Sequence, residues 1–499
     1  MRSFFLHKWD INSKMKQQKS LKINAILNMI KTLMGVIFPL ITFPYSSRIL
    51  GPNGIGQVNF ANSIVSYFSM IAGLGIGTYA TREAAKIRDN NYELNKFSKE
   101  IIIINSTSTI VAYILFFISL FLVPKFHQYK ILLCISSITI LFNTIGLGWI
   151  YSAMEDYLYI TVRSIIFQIF SLILLFTTVK TSEDIYEYCG LMVISSVGSN
   201  LLNFIHSRKY ISIFQKTKIE IKKHLKPIFI LFAMSVAVSI YTVLDTSMLG
   251  LLTDNTEVGF YSAATKINKL VLSLVSSLTA VLLPRLSYYT NQANKEDFNK
   301  LAYKGFSLLL LISIPSTLGL NLLSKNIILI LNGIEFLPAL EVMKILNPIV
   351  IIIGLSGFIG MQIFLPLKKE KWTLISVIIG AIVNFISNLI FIPKYGAYGA
   401  AISTILAESM VTITQLVLLR KLINIFIIIK QFIIYFFNSI IMYFPLIYIK
   451  KYISNIYTST IVCMIVGIII YSILLIIEKN EFIMYFLEKI KRFYAKKQK

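Results

Sequence analysis

The sequence is poor in charged residues. Only 14% of its 499 residues are Asp, Glu, Lys or Arg, whereas soluble domains usually carry about 25%. Hydrophobic residues make up 56% of the chain, and the mean hydropathy is +0.73. A soluble protein of this size could not keep so much apolar surface away from water. The composition excludes a soluble enzyme, a disordered chain and a disulfide scaffold, and it indicates an integral membrane protein.

Residues that usually bind metals or cofactors are scarce and scattered. The three cysteines, Cys134, Cys189 and Cys463, lie far apart in apolar runs, and no C-x-x-C pair occurs. The four histidines form no H-E-x-x-H pattern, and no phosphate-binding G-x-x-x-x-G-K-[ST] loop is present. We therefore expect no metal site, no cofactor and no ATP hydrolysis.

Long continuous apolar runs predict membrane-spanning helices. Strands of a membrane barrel would instead show weak alternating segments of about ten residues, and a helix needs about 20 residues to cross the hydrocarbon. We predict an all-α polytopic membrane protein with about fourteen spans. They are 23–46, 57–80, 101–123, 131–152, 158–179, 186–205, 227–250, 259–283, 305–322, 341–366, 373–392, 398–419, 432–449 and 457–477.

Basic residues concentrate on one side of the predicted membrane. Of the 48 Lys and Arg residues, 35 fall in the two terminal tails and alternate loops, and 8 fall in the opposite loops. The positive-inside rule then predicts that both termini are cytoplasmic. Basic loops against anionic membrane lipids explain the net charge of +25. We expect no nucleic acid as a partner.

Two stretches of the chain resemble one another. Gly56 corresponds to Gly259 and Arg82 to Arg285, both at an offset of 203 residues. Chance similarity in a biased sequence is one interpretation. The other is a parallel repeat, as in transporters that bind substrate between two halves. On that interpretation the parts are a six-helix bundle at 1–215, a second at 216–425, and two further helices with a basic tail at 426–499.

Several motifs resemble a known family. They are the segment 39–56, PLITFPYSSRILGPNGIG, then GLGIG at 73–77 leading into Thr81-Arg-Glu83, and VGFYSAATKI at 258–267. Over essentially the whole chain they resemble bacterial polysaccharide biosynthesis flippases of the multidrug/oligosaccharidyl-lipid/polysaccharide superfamily.

This resemblance implies a transporter rather than an enzyme. Its expected substrate is an undecaprenyl-pyrophosphate-linked oligosaccharide, moved to the outer leaflet of the bacterial cytoplasmic membrane for surface polysaccharides such as O-antigen or capsule. Expected partners are membrane lipids, a polysaccharide polymerase and glycosyltransferases. Without an ATP site, an ion gradient, the membrane potential or a substrate gradient must drive transport.

Such a substrate requires a polar, cationic path. Each unpaired sugar hydroxyl costs about 4–8 kcal/mol in hydrocarbon, and a pyrophosphate binds best to fixed cations. Lys31, Lys266 and Lys269 lie deep within predicted spans, Lys31 roughly 12 Å deep. We predict that they line a central cavity and bind the anion, the alternative being snorkelling or pairing with acidic neighbours.

Other basic residues lie nearer the ends of predicted spans. Arg163, about 9 Å from the cytoplasmic side, is predicted either to line the cavity or to snorkel. Arg48 is a candidate headgroup or gate residue, and Lys344 an interfacial anchor. Arg82 and Arg285 are candidates for an inner gate, although the positive-inside rule explains them equally well.

Four polar residues complete the candidate site. Asp245 is expected to pair with a basic residue of the opposite half when an outer gate closes. Glu408, about 16 Å into its span, is the candidate for ion coupling, with a structural hydrogen bond as the alternative. Asn384 and Asn388 are predicted to line the sugar path or to form interhelical hydrogen bonds.

Two other functions remain open. A cation-coupled multidrug exporter of the same superfamily should have an acidic cavity, whereas the charges within these spans are mainly lysines. A membrane polysaccharide polymerase should have a large loop or an acidic cluster, and the pair Glu155 and Asp156 has no obvious partners in sequence. The glycines Gly73, Gly75 and Gly77 follow no strand, so they predict close helix packing or a flexing point rather than a dinucleotide site.

Overall fold

The computed structural model of the chain describes residues 21–212, 218–292 and 294–484. All regular secondary structure in these ranges is helical. Ten helical stretches there are long and apolar enough to cross a membrane. The prediction of an all-α polytopic membrane protein is therefore confirmed. The number of fourteen spans and the side of each terminus stay predictions.

The helices of the described chain are numbered in order. Up to residue 212 they are α1 (Leu21–Gly73), α2 (Ile76–Ile87), α3 (Asn91–Leu122), α4 (Pro124–Gln128), α5 (Lys130–Ile145), α6 (Gly148–Ala153), α7 (Tyr157–Thr178), α8 (Ile185–Val193) and α9 (Asn200–Ser207). From residue 218 on they are α10 (Lys222–Leu252), α11 (Asn255–Ala280), α12 (Leu283–Asn291), α13 (Lys295–Leu331), α14 (Ala339–Leu346), α15 (Ile349–Phe358), α16 (Glu370–Leu419), α17 (Ile425–Tyr452) and α18 (Ile456–Ile477). Two π-helical turns, Ile194–Gly198 and Ile359–Phe364, follow α8 and α15.

Two very long helices each contain a glycine kink. Helix α1 has non-helical backbone angles at Gly51 (φ 65°), and α16 has them at Gly396 (φ 54°). Each of these helices includes residues of two predicted spans. Where the sequence predicted a loop between the two spans, the structure has a kink at one glycine. Glycine adopts positive φ without the penalty that a Cβ atom imposes. After the second kink, the backbone nitrogen of Ala397 donates to the Glu257 carboxylate at 2.6 Å, which caps the restarting helix.

The predicted span 57–80 is interrupted near its end. Leu74 (φ 44°) and Gly75 (φ 68°) break the helix, and α2 begins at Ile76. A Cβ atom on Gly75 would lie 2.9 Å from the backbone nitrogen of Phe232 in α10. Close packing therefore holds for Gly75, whereas a Cβ atom on Gly73 or Gly77 would meet nothing within 4 Å. The predicted span 57–80 is therefore not one continuous helix, and its break lies at Gly75, where the backbone of α10 comes close.

The chain divides into two compact units. The first unit comprises Met1–Leu50 and Ala61–Ser239, and the second comprises Gly51–Phe60 and Ile240–Lys499. Ile101 and Ile150 are fully buried in the core of the first unit, and Phe306 and Leu310 in that of the second. The three predicted parts, 1–215, 216–425 and 426–499, stay a prediction.

Apolar side chains also cover much of the outside of the helices. Ile461, Ile465 and Ile468 of α18 are each more than half exposed. Exposed large apolar faces of this extent are typical of helices that face lipid rather than water.

Candidate functional site

A buried carboxylate organises the interior of the second unit. Asp245 in α10 is 7% exposed. Its Oδ1 accepts hydrogen bonds from Asn384 at 2.8 Å and Asn388 at 2.7 Å. Its Oδ2 accepts from Tyr261 and from Thr404, both at 2.7 Å. These five residues are called the Asp245 cluster below.

Helical spacing and the kink in α16 bring these side chains together. Asn384 and Asn388 are one turn apart on α16, so they share a face. Thr404 follows the Gly396 kink in the same helix, and its hydroxyl oxygen also lies 2.7 Å from the carbonyl oxygen of Ala400. The two amide groups donate hydrogen bonds to the neighbouring carboxylate. Buried polar groups in a membrane need such partners, because an unpaired polar group there is energetically costly.

A cavity of about 120 Å³ adjoins the cluster. Asp245, Tyr261 and Thr404 line it together with Glu408 and Lys269. Glu408 is 8% exposed, one turn beyond Thr404 on α16. The second unit therefore brings two buried acids and one lysine to a single cavity, although they lie on three different helices.

Two members of the cluster were not predicted from the sequence. Tyr261 and Thr404 were not candidates, because a lone tyrosine or threonine in an apolar run usually packs in a core or bonds its own helix backbone. A signal for Thr404 was its position four residues before Glu408, on the same helical face. Tyr261 lies within the VGFYSAATKI motif at 258–267, which served only for the family resemblance.

The predicted partners of these acids stay predictions. The hydrogen bonds of Asp245 in the structure come from neutral donors of its own unit. Asn384 and Asn388 form interhelical hydrogen bonds, which was one of the two interpretations of their sequence position. Pairing of Asp245 with a basic residue and ion coupling at Glu408 are not tested by these contacts.

The three deep lysines occupy different surroundings. Lys269 lines the cavity beside the Asp245 cluster and is exposed. Lys266, three residues earlier in α11, is half-buried. The side chain of Lys31 lies outside the described residues. Their joint role as ligands of an anion therefore stays a prediction.

The remaining basic candidates lie on exposed or half-exposed positions. Arg48 and Arg285 are exposed. Arg82 is exposed too and forms an ion pair with Glu83 at 2.9 Å. Lys344 forms an ion pair with Glu341 at 2.7 Å. Their predicted roles at gates, headgroups or the interface are not tested by these positions.

Arg163 is buried in the first unit, whereas the Asp245 cluster lies in the second unit. It is 8% exposed, and its guanidinium donates to the carbonyl of Ser199 at 3.2 Å. The guanidinium carbon lies 5.8 Å from the centre of the Tyr159 ring. Arg163 lines a cavity of its own unit.

Comparison with known protein families shows which family the chain belongs to. A family described as "polysaccharide biosynthesis protein" matches residues 21–290, which is more than half of the chain. The chain belongs to this polysaccharide biosynthesis family. A second family, MatE, matches residues 230–393. The resemblance inferred from the sequence motifs is therefore confirmed.

Curated relatives cover most of the chain. A candidate O-antigen transporter of Escherichia coli (strain K12) is 25% identical over 408 residues, which are 81% of this chain and 97% of that protein. A protein of Shigella dysenteriae with the same description is 23% identical and covers 79% of this chain and 99% of its own length.

Solved structures share the fold. A lipid II flippase, MurJ, in an inward closed conformation has a TM-score of 0.75 at 23% identity, covering 92% of this chain and all of that one. An inward-facing multidrug resistance transporter of the MATE family has a TM-score of 0.59 at 14% identity, with 80% of this chain covered. Family, relatives and fold agree on a membrane transporter rather than an enzyme.

Proposed function

We propose that this protein moves undecaprenyl-pyrophosphate-linked oligosaccharide repeat units from the cytoplasmic to the outer leaflet of a bacterial cytoplasmic membrane. The match of the polysaccharide biosynthesis family to residues 21–290 carries the proposal. The relative from Escherichia coli, aligned over 97% of its length, supports a role in O-antigen assembly. A polysaccharide polymerase and glycosyltransferases are the proposed partners in the same pathway.

The proposed topology has fourteen spans with both termini in the cytoplasm. The uneven distribution of Lys and Arg supports it, because positive loops stay on the cytoplasmic side. The offset of 203 residues between the repeated motifs supports two related halves at 1–215 and 216–425. Transporters with such parallel repeats expose a site alternately to each side of the membrane.

Cationic side chains within the spans are the proposed ligands of the pyrophosphate. Lys269 is the best supported of them, because it lines a cavity among buried polar groups. Lys31, Lys266 and Arg48 complete the proposed set, with Arg82 and Arg285 at the inner mouth. Arg163 is left out of this set, because its cavity has exposed apolar side chains in its wall.

The Asp245 cluster and Glu408 are the proposed coupling site. The Oδ1 atom of Asn388 is buried and has no hydrogen-bond partner among the described residues. Carboxylate, amide and hydroxyl oxygens are the ligands that hard cations prefer. A monovalent cation or a proton taken up at Asp245 and Glu408 would therefore meet oxygen ligands, and its release on the other side would drive the transport cycle.

Deletion of the gene in its own organism tests the proposal. Lipid-linked repeat units should accumulate in the inner leaflet, where a membrane-impermeant sugar oxidant reaches them in inverted vesicles but not in intact spheroplasts. Wild-type protein and the exposed-acid control Glu296→Gln should restore export, whereas Asp245→Asn should not at equal membrane level. Accumulation in the outer leaflet would contradict the proposal and favour a polymerase.

A multidrug exporter is the alternative with a specific observation in its favour. MatE matches residues 230–393, which include Asp245, and Glu408, beyond that range, lines the same cavity. Acids suit cationic substrates. Efflux of a lipophilic cation dye from energised cells expressing the protein, lost in Glu408→Gln, with normal lipid-linked intermediates in the deletion strain, would support this alternative instead.

A further inference from the structure

A second cavity lies in the first unit, along helices α7 and α9. Its volume is about 480 Å³. Three basic residues, Arg163, His206 and Lys209, line it together with the acid Asp156. Apolar side chains of α7 and α9 form most of the remaining wall. Nothing in the proposed transport cycle uses this cavity.

Two nitrogen atoms at this cavity lack hydrogen-bond partners. Arg163 is 8% exposed, and its Nε atom is buried without a partner in the described part of the chain. The same holds for Nε2 of His206. Leaving a buried polar group unpaired is energetically unfavourable, and such groups in native proteins usually meet a ligand, an ion or water. Arg163 Nε can only donate, so its missing partner is an acceptor, and His206 Nε2 can donate to the same acceptor in the tautomer that carries the proton there.

Aromatic rings hold these basic groups in position. The His206 ring stacks on Tyr159 with 4.0 Å between centroids and 12° between planes. The guanidinium carbon of Arg163 lies 5.8 Å from the centre of the same Tyr159 ring. Lys209 places its Nζ atom 5.5 Å from the centre of the Tyr210 ring. Such stacking orders the basic side chains before any ligand arrives.

The single acid of the lining is held by a neighbour. The Tyr210 hydroxyl donates to the Asp156 carboxylate at 2.7 Å. Arg163 and Lys209 still outnumber this one negative charge, so the cavity favours an anion. A phosphate monoanion with several acceptor oxygens matches the unpaired donors.

The apolar wall of the cavity faces the outside of the unit. Val162, Ile166 and Leu202 line the cavity and are 47%, 57% and 44% exposed. Helix α7 is one of the stretches apolar enough to span a membrane. A cavity with such walls opens towards acyl chains, so its natural occupant carries both a phosphate and a hydrocarbon tail.

We propose that this cavity binds an anionic glycerophospholipid of the surrounding membrane. Its phosphate contacts Arg163, His206 and Lys209, and its acyl chains lie along Val162, Ile166 and Leu202. Such a lipid is distinct from the transported substrate and is not moved by the protein. Its binding does not depend on the proposed flippase activity, so the two proposals can fail separately.

Native mass spectrometry of the purified full-length protein tests this proposal. Phosphatidylglycerol, dioleoylglycerol without a phosphate, undecaprenyl phosphate and inorganic phosphate are titrated in turn. We expect phosphatidylglycerol to bind with one specific site and dioleoylglycerol not to bind there. Arg163→Gln should weaken the binding at least about tenfold, because one charge-assisted hydrogen bond contributes about 1.5–3 kcal/mol.

Two milder variants and a matched control keep the test decisive if Arg163→Gln does not fold. His206→Phe keeps the stack on Tyr159 but removes the nitrogen donors, and Lys209→Gln removes one exposed charge. Both should weaken phosphatidylglycerol binding, whereas Lys130→Gln, an exposed cation at the start of α5, should not. Equal binding by His206→Phe, Lys209→Gln and wild type would overturn the proposal.

Competition distinguishes the possible sources of the phosphate. If inorganic phosphate displaces phosphatidylglycerol at equal concentration, the acyl chains contribute nothing and the site binds a soluble anion. If undecaprenyl phosphate binds more tightly than phosphatidylglycerol and displaces it, the cavity is part of the substrate site. Either result would overturn the assignment to a membrane phospholipid.

Discussion

Gly56 and Gly259 pack backbone against backbone in the second unit. The two glycines are 203 positions apart and occupy matching positions of the two similar sequence stretches. A Cβ atom on Gly56 would lie 1.7 Å from the carbonyl oxygen of Asn255 and 3.0 Å from the nitrogen of Gly259. A Cβ atom on Gly259 would lie 2.0 Å from the carbonyl oxygen of Pro52. Both positions therefore require glycine for the same steric reason.

Alanine at either glycine should destabilise this packing. Because backbone atoms cannot move as readily as side chains, we expect Gly56→Ala and Gly259→Ala each to cost about 1–3 kcal/mol of unfolding free energy. The midpoint of thermal unfolding of the purified protein measures the effect. Gly190→Ala is the control, since a Cβ atom there would meet nothing within 4 Å. Equal midpoints for Gly56→Ala and Gly190→Ala would contradict the steric argument.

Removing one donor to Asp245 should weaken the second unit. Tyr261→Phe and Thr404→Val each delete one hydrogen bond to the buried carboxylate, and hydrogen bonds to charged groups contribute about 1.5–3 kcal/mol. We expect each variant to lower the midpoint of thermal unfolding, and the double variant to deviate from additivity because both donors share Oδ2. Tyr398→Phe on the same helix as Thr404 is the control, as Tyr398 is exposed and its hydroxyl lies 3.5 Å from its acceptor. Strict additivity would argue against a shared network.

Loss of the charge at Lys269 should reduce transport. If Lys269 binds the pyrophosphate, Lys269→Gln should lower the export rate of lipid-linked repeat units at least about tenfold, the effect of losing about 1.5–3 kcal/mol. Pulse-labelling of the exported sugar in a complemented deletion strain measures this rate. Lys344→Gln serves as a matched control, because Lys344 already pairs with Glu341. Equal rates in both variants would remove Lys269 from the site.

A buried acid–histidine contact should hold the first unit together. His224 Nε2 lies 2.7 Å from Glu100 Oε2, and His224 Nδ1 lies 2.8 Å from the Tyr79 hydroxyl. Glu100 is fully buried, and breaking a buried pair by removing one partner costs about 3–5 kcal/mol. We therefore expect Glu100→Gln to lower the midpoint of thermal unfolding far more than the exposed control Glu187→Gln. A shift no larger than that of the control would show that this contact does not stabilise the unit.

Local patterns predicted the class of the protein, its family and much of its helical layout. The spans at 158–179 and 457–477 coincide within one residue with α7 and α18. Other spans were predicted with wrong ends or continuity. At the kinks of Gly51 and Gly396 and at the break of Gly75, the glycine lies against residues distant in sequence, such as Phe232 beside Gly75. Hydropathy in a window contains no information on such contacts.

Sequence alone determined that the chain lies in a membrane, that its helices bury few charges, and that Asp245, Asn384, Asn388 and Glu408 are unusual among apolar neighbours. Tertiary structure decided that Asn384 and Asn388 both donate to the Asp245 carboxylate, and that Tyr261 and Thr404 donate to it as well. It also decided that Arg163 lies in a separate cavity beside Tyr159 and His206. The physical reason is that burial preference acts residue by residue, whereas hydrogen-bond geometry depends on how helices far apart in the chain pack against each other.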